Sequence, residues 1–295
     1  MKDEIELVFK HRDSIVFHPF LANALRSEML CVFVHCLVKT KRQMKRAIMS
    51  WLKELFNRVY QDSLLQRDIK RLAGMSEEAV WQHVLNGSFG KEEGSDSLPL
   101  NLGRWAGGAS FFYVLHRILQ TTEPGYVLEM GLGESSKFIS HHAAMESSLK
   151  HHFIIEHDQK WIDYFVKNHV LDAKSKIEFH DIEDRVEQTD GINGLAYTAI
   201  PEEHWLKVDL IVIDGPFGRG EFARSNVLAL VPFLNDSRPF VLLFDDAHRM
   251  GETNTINELM KRLAQAGIKA HRAEYGGSKQ CTVVCSKGHA WLKTL

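Results

Sequence analysis

Short apolar runs that end on polar or acidic residues punctuate the last two thirds of the chain, at 126–130, 152–158, 177–181, 208–214 and 240–246. Runs of this length predict buried strands, and the amphipathic stretches between them predict helices. One such helix carries Phe111, Val114, Leu115 and Ile118 on a single face, and another carries Val227, Leu230, Val231 and Leu234. Alternation of strand and helix predicts an α/β fold with a doubly wound, mostly parallel sheet. The first part of the chain reads differently. Up to about Gln82 it is helical, with Trp51, Leu55 and Val59 in a stripe at four-residue spacing. Residues 86–97 are rich in glycine, serine and charge, and they read as a linker. The predicted organisation is a helical N-terminal extension over residues 1–90 and a catalytic domain over residues 98–295.

With 295 residues, 44% hydrophobic and 25% charged, the chain can bury a large core. Its formal net charge of −2 does not suggest a nucleic-acid binder. Cys31, Cys36, Cys281 and Cys285 lack zinc-site spacing, and reduced thiols in a cytoplasmic setting are expected. The apolar stretch Met29–Val38 is too short to span a bilayer. The basic residues Lys39, Lys41, Arg42, Lys45 and Arg46 follow it, which allows a peripheral contact with an anionic membrane or, more simply, a solvated continuation of a buried helix. A homodimer through these front helices is the other open expectation. The histidine pairs His141-His142 and His151-His152 do not suit metal chelation, because adjacent residues point apart.

The chemistry begins where the first strand ends. Glu129 is followed by Gly131 and Gly133, which allow a sharp turn, and then by a helix whose first N–H groups are free for a ligand. A dinucleotide fingerprint requires a third small residue for helix packing, but Ser136 stands in that place. Glu129 also suits a cationic ligand better than a pyrophosphate. Glu156, closing the second strand, is placed to accept hydrogen bonds from ribose hydroxyls.

These residues resemble the Rossmann-like S-adenosylmethionine-dependent methyltransferases over roughly the last two thirds of the chain. Glu129, Gly131 and Gly133 match that family's first motif, with Ser135 in the helical turn that follows. Glu156 matches the ribose-binding acid, and Asp181 the position beside the adenine. The resemblance implies a seven-stranded sheet that ends in an antiparallel hairpin. The tail agrees, since residues 270–275 and 280–286 flank Gly276-Gly277.

Asp214, Asp245 and Asp246 end adjacent strands at the predicted crevice, where they form a candidate site for Mg²⁺ or Mn²⁺. Asp214 is the first candidate for the base that takes the acceptor's proton, and His248 the second. Arg219, Arg224 and Arg249 are candidates for holding an anionic acceptor. Trp105, with Arg104, is a candidate lid or substrate wall, the alternative being that it packs in the core. The residues around Asp214 and Asp245 are loosely similar to sugar and polysaccharide O-methyltransferases, including the glucuronoxylan type. The acceptor implied is a sugar, a polysaccharide or another small anionic molecule. Asp214-Gly215-Pro216-Phe217 also resembles the D-P-P-Y/F motif of amino-methyltransferases acting on nucleic acid or protein, with Gly215 in place of a proline. A non-catalytic module that binds S-adenosylmethionine is a third reading.

Overall fold

The structure is a computed structural model that describes residues 41–89, 99–186 and 192–295, with backbone alone at 41–47 and 185–186. The apolar stretch Met29–Val38 therefore lies outside the described residues, as do the basic side chains after it, Cys31, Cys36 and residues 90–97 of the linker.

Contacts divide the chain into two compact units, Met1–Asp68 and Ile69–Leu295. In the first, the described residues form the start of a long helix, α1 (Lys41–Ser88). Of the expected stripe, Trp51 and Leu55 are half-buried and Val59 is exposed. The end of the same helix belongs to the second unit, where Leu85 is buried among core residues. Sequence pattern grouped residues 69–88 with the helical front; in the structure they pack with the α/β unit.

That unit contains α2 (Ala109–Thr122), β1 (Tyr126–Met130), α3 (Glu134–Met145), β2 (His151–Glu156), α4 (Gln159–Asn168) and β3 (Ser175–Phe179). A small antiparallel hairpin follows, β4 (Ile182–Val186) with β5 (Asn193–Tyr197). After it come α5 (Glu202–Lys207), β6 (Leu210–Ile213), a 3₁₀ segment (Ser225–Phe233), β7 (Val241–Phe244), α6 (Met250–Gln265), β8 (Ala270–Tyr275), β9 (Cys281–Ser286) and a terminal 3₁₀ segment. The hairpin β4–β5 is an addition that strand periodicity did not reveal. The segment bearing Val227 and Leu230 is a 3₁₀ helix containing Pro232, not an α-helix. Proline lacks the N–H that a continuing α-helix needs.

The main sheet has seven strands in the order β3-β2-β1-β6-β7-β9-β8. All pairings are parallel except those of β9 with β7 and β8. This is the expected doubly wound sheet with a C-terminal antiparallel hairpin. The central strands are wholly buried because both faces are covered. Leu128, Met130, Ile211, Ile213, Leu242 and Phe244 pack on the side of α6 and the first 3₁₀ segment. Val127, Leu210, Val212, Val241 and Leu243 alternate with them and pack against α2 and α3 on the other side. Strand order reverses between β1 and β6, which makes their carboxyl ends the topological switch point where ligands of such sheets bind.

Candidate functional site

At that switch point two glycines from different strands meet. Gly131 has φ +104, and a Cβ there would lie 3.0 Å from Gly215 N, so both conformation and space require glycine. Gly215 is equally confined, since a Cβ would collide with the Tyr197 hydroxyl. A proline at Gly215 would meet the same obstruction, so the departure from the D-P-P-Y/F pattern has a steric cause. Asp214 N and Gly215 N both donate to Met130 O, at 2.9 and 2.6 Å, fastening the end of β6 to the end of β1.

Gly133 is different. A Cβ there would meet nothing within 4 Å, so the turn opens onto free space beside the start of α3. The intervening Leu132 is fixed at both ends, its N–H donating to Glu156 Oε2 at 3.0 Å and its carbonyl accepting from Trp161 Nε1 at 2.7 Å. The N–H of Gly133 donates to Ser136 Oγ at 2.9 Å, capping the helix with the residue that replaced the third glycine. Ser135 is buried in the same turn.

Glu156 also accepts from the N–H groups of His157 and Asp158, at 2.7 and 2.9 Å, so its carboxylate organises the end of β2. Glu129 is fully buried on the α2/α3 face and pairs with His152 Nε2 at 3.0 Å, while its Oε1 has no hydrogen-bond partner. A buried, unsatisfied carboxylate oxygen beside an open glycine turn suits a cationic ligand group. Asp181 is exposed beyond β3. These residues fit S-adenosylmethionine, with Glu129, Gly131, Gly133, Ser135, Glu156 and Asp181 on three successive strand ends.

The three aspartates do converge, one ligand atom from each lying within 4.8 Å of the others. Arg224 lies among them. Its guanidinium is 3.1 Å from Asp214 Oδ1, 3.5 Å from Asp246 Oδ2 and 3.7 Å from Glu252 Oε1, and it donates to Asp245 O at 2.8 Å. Burial opposes its charge, but Asp214 and Glu252 outweigh that effect and hold its pKa above the ordinary value. Arg224 is only 3% exposed, so the expected acceptor-binding role is corrected: this side chain ties the ends of β6 and β7 together. Lys279 contacts Asp245 and Asp246 at 3.2 and 3.4 Å, and Arg249 contacts Asp246 at 2.9 Å. Asp214, Asp245, Asp246 and Glu252 thus face three cations, leaving about one net negative charge when all are ionised. A divalent ion does not fit this arrangement, because built-in cations already neutralise its expected ligands.

Burial pushes the Asp214 carboxyl up to about 7, with Arg224 and Lys279 opposing and Asp245 and Asp246 adding to the rise. Its side chain is 26% exposed, so the acid remains reachable from the crevice. Burial likewise raises Asp245, which is fully enclosed. His248 is exposed and accepts from Gln280 N at 3.4 Å through Nδ1, tying loop to hairpin. Arg219 is exposed, Arg249 is half-exposed, and Trp105 is 93% exposed, which rules out a core position for that indole. The segment before Trp105 lies at the start of α3, where Asn101 N donates to Glu134 Oε2 at 3.0 Å.

Sequence reasoning missed Tyr197, His157, Glu252 and Lys279. Tyr197 comes from the unexpected hairpin. Its buried hydroxyl has no hydrogen-bond partner, and burial with Glu156 and Asp214 nearby raises its pKa well above the usual value. His157 stands edge-on to Phe217, 4.8 Å between centroids, bringing the ends of β2 and β6 together. Asp246 and Arg249 precede α6 and Glu252 lies in its first turn, so no periodic signal in the sequence pointed to their meeting. A surface cavity of about 590 Å³ lined by Met260, Ile268, His271 and Lys287 lies where β8 begins, opposite the carboxyl ends of the parallel strands.

No protein-family model matches this chain, and no curated protein matches it. Solved structures do. An O-methyltransferase from Bacillus cereus in complex with S-adenosylhomocysteine is 14% identical, with 72% of this chain and 91% of that chain covered and a TM-score of 0.39. The O-methyltransferase TomG from Streptomyces achromogenes, in complex with S-adenosylmethionine, is 12% identical, with 73% and 98% covered and a TM-score of 0.43. A spermidine synthase from Thermotoga maritima is 11% identical, with 63% and 62% covered and a TM-score of 0.37. Such distant similarity carries no argument about activity, and the fold rests on the sheet order above. Among the described residues no helix is long and apolar enough to cross a membrane.

Proposed function

We propose that this chain is an S-adenosylmethionine-dependent methyltransferase that O-methylates a sugar, a polysaccharide or another small anionic acceptor. The observation that carries this reading is the meeting of Gly131 with Asp214-Gly215 at the switch point, with open space at Gly133 alongside. When bound, the cofactor supplies a sulfonium methyl group to a nucleophile aligned in line with it. Glu156 and Asp181 stand for the nucleoside, and Glu129 for the amino group. Asp214, raised to about 7, is poised to take a hydroxyl proton near neutral pH, where an ordinary carboxylate would be too weak a base. Arg219 and Arg249 are the cations left to face an anionic group on the acceptor, and Trp105 the wall before the first strand. No step is assigned to a metal. The steric closure at Gly215 disfavours the amino-methyltransferase reading.

Calorimetry tests the cofactor and a labelled-methyl assay with neutral sugars and uronic acids tests the acceptor. S-adenosylmethionine should bind and nicotinamide dinucleotides should not, and Asp214→Asn should keep the binding while losing turnover. Absence of binding by the folded parent would refute the cofactor assignment and with it the module reading. Binding without transfer to any hydroxyl acceptor, with transfer to an amine, would refute O-methylation.

A further inference from the structure

Lys279 lies in the turn between β8 and β9, and the function proposed above gives it no contact with cofactor or acceptor. Its ammonium reaches the carboxyl end of β7, 3.2 Å from Asp245 Oδ2 and 3.4 Å from Asp246 Oδ1, and its side chain is only 13% exposed. The turn that delivers it is fastened on both sides. Ser278 donates through N and Oγ to Glu78 Oε2, each at 3.0 Å, and Gln280 O accepts from Ala247 N at 2.8 Å. The flexible lysine stem is thus carried by a fixed backbone and is itself largely buried.

We propose that Lys279 is the resident cation of the acid cluster: its ammonium stands where a divalent ion would otherwise sit among Asp214, Asp245 and Asp246, and so the parent protein binds no such ion there. The donor atoms are close enough to ligate one ion together. Asp245 Oδ1 is buried and has no hydrogen-bond partner, so the enclosed acid of the cluster still has an unused lone pair. What stands against an ion is charge and space. Magnesium demands oxygens at about 2.0–2.1 Å in octahedral array, and an ammonium beside two of those oxygens occupies that volume. The ammonium donates to Asp245 Oδ2 at 3.2 Å and pairs with Asp246 Oδ1 at 3.4 Å, with no need for the octahedral array of oxygens that a small divalent ion requires. Arg224 and Arg249 contact Asp214 Oδ1 and Asp246 Oδ2, and Lys279 is the cation paired with the carboxylate of the buried Asp245. Removing its charge takes the cluster from about one net negative charge to two, the complement of a divalent ion. The inference goes beyond the proposed function and stands whether or not the chain transfers a methyl group.

The experiment titrates the full chain with Mn²⁺, read by the paramagnetic resonance of free Mn²⁺ and by calorimetry, with no cofactor present. The parent should bind no Mn²⁺ below about 1 mM, the weak end of oxygen-ligated sites. Lys279→Met should bind one Mn²⁺ at least about tenfold more tightly, and Asp245→Asn added to it should abolish the gain. Lys279→Gln carries the same expectation if the methionine variant does not fold. Stoichiometric Mn²⁺ binding by the parent that Asp245→Asn removes would overturn the proposal. So would a folded Lys279→Met or Lys279→Gln protein that binds Mn²⁺ no better than the parent. Methyl transfer is a separate readout, so its absence would count against the cofactor reading and leave this one intact.

Discussion

Replacing Arg224 by alanine separates two roles that arginine beside a crevice can have. An acceptor-binding arginine would lower kcat/KM and leave the fold unchanged. The structure instead puts the guanidinium, 3% exposed, between Asp214, Asp246 and Glu252, with hydrogen bonds to the carbonyls of Ile213 and Asp245. Breaking a buried ion pair from one side typically costs about 3–5 kcal/mol, because the partners stay buried and charged. That is about a fifth or more of a typical domain's stability of about 5–15 kcal/mol. A domain of this size loses roughly 2–4 °C per kcal/mol, so the melting temperature should fall by about 6–20 °C. The loss should also depend on pH. Without Arg224, which holds the Asp214 pKa down, that carboxyl ionises less readily still, so the missing cation is felt increasingly as pH rises above 7, whereas at lower pH protonation relieves the orphaned charge and the gap between variant and parent narrows. Thermal denaturation of both proteins between pH 5 and 8 measures this. A variant that melts with the parent throughout, but has lost acceptor affinity, would refute the buried-hub assignment and restore the acceptor role.

Gly133→Val should fold like the parent, because φ −170 suits any residue and nothing lies within 4 Å, but it should lose S-adenosylmethionine binding by calorimetry. Gly131→Ala should instead lower the melting temperature by the equivalent of about 1–3 kcal/mol, since φ +104 and the approach to Gly215 both resist a Cβ. Equal binding by Gly133→Val would mean that the cofactor lies elsewhere. The kcat/KM of methyl transfer should rise with pH through an inflection near 7, and Asp214→Asn should abolish that limb together with most of the rate. The same raised pKa means that folding binds a proton between about 4 and 7, so the Asp214 contribution to stability is lost as pH climbs through 7. Melting curves that favour the parent more strongly at pH 8 than at pH 5 relative to Asp214→Asn would contradict this.

The sheet and its cofactor turn were legible in the chain because their signals are local. Continuous apolar runs such as Val127–Leu128 and Leu210–Ile213 are what a strand covered on both faces must contain, and the order of such runs specifies a doubly wound sheet. Gly131 and Gly133 announced a turn, and the acids at 129, 156, 214 and 245 announced the strand ends. Pattern could not say which charged groups would neutralise one another. Arg224, Lys279 and Glu252 are scattered along the sequence, and only the adjacency of β6, β7 and the β8–β9 turn brings them to the same acids. The two-residue identity Gly276-Gly277 likewise suggested a turn, but not that Lys279 two positions later would point inward. Tyr197 was hidden for the same reason, on a hairpin too short and too polar to stand out, yet packed under Gly215 by the tertiary fold. Local pattern thus determined the strands, the glycine turn and the acids at the crevice, since backbone geometry and burial constrain neighbouring residues. The charge balance of that crevice, and with it the availability of each acid and arginine to a ligand, was decided only by tertiary structure, because electrostatic interaction depends on distance and burial in space.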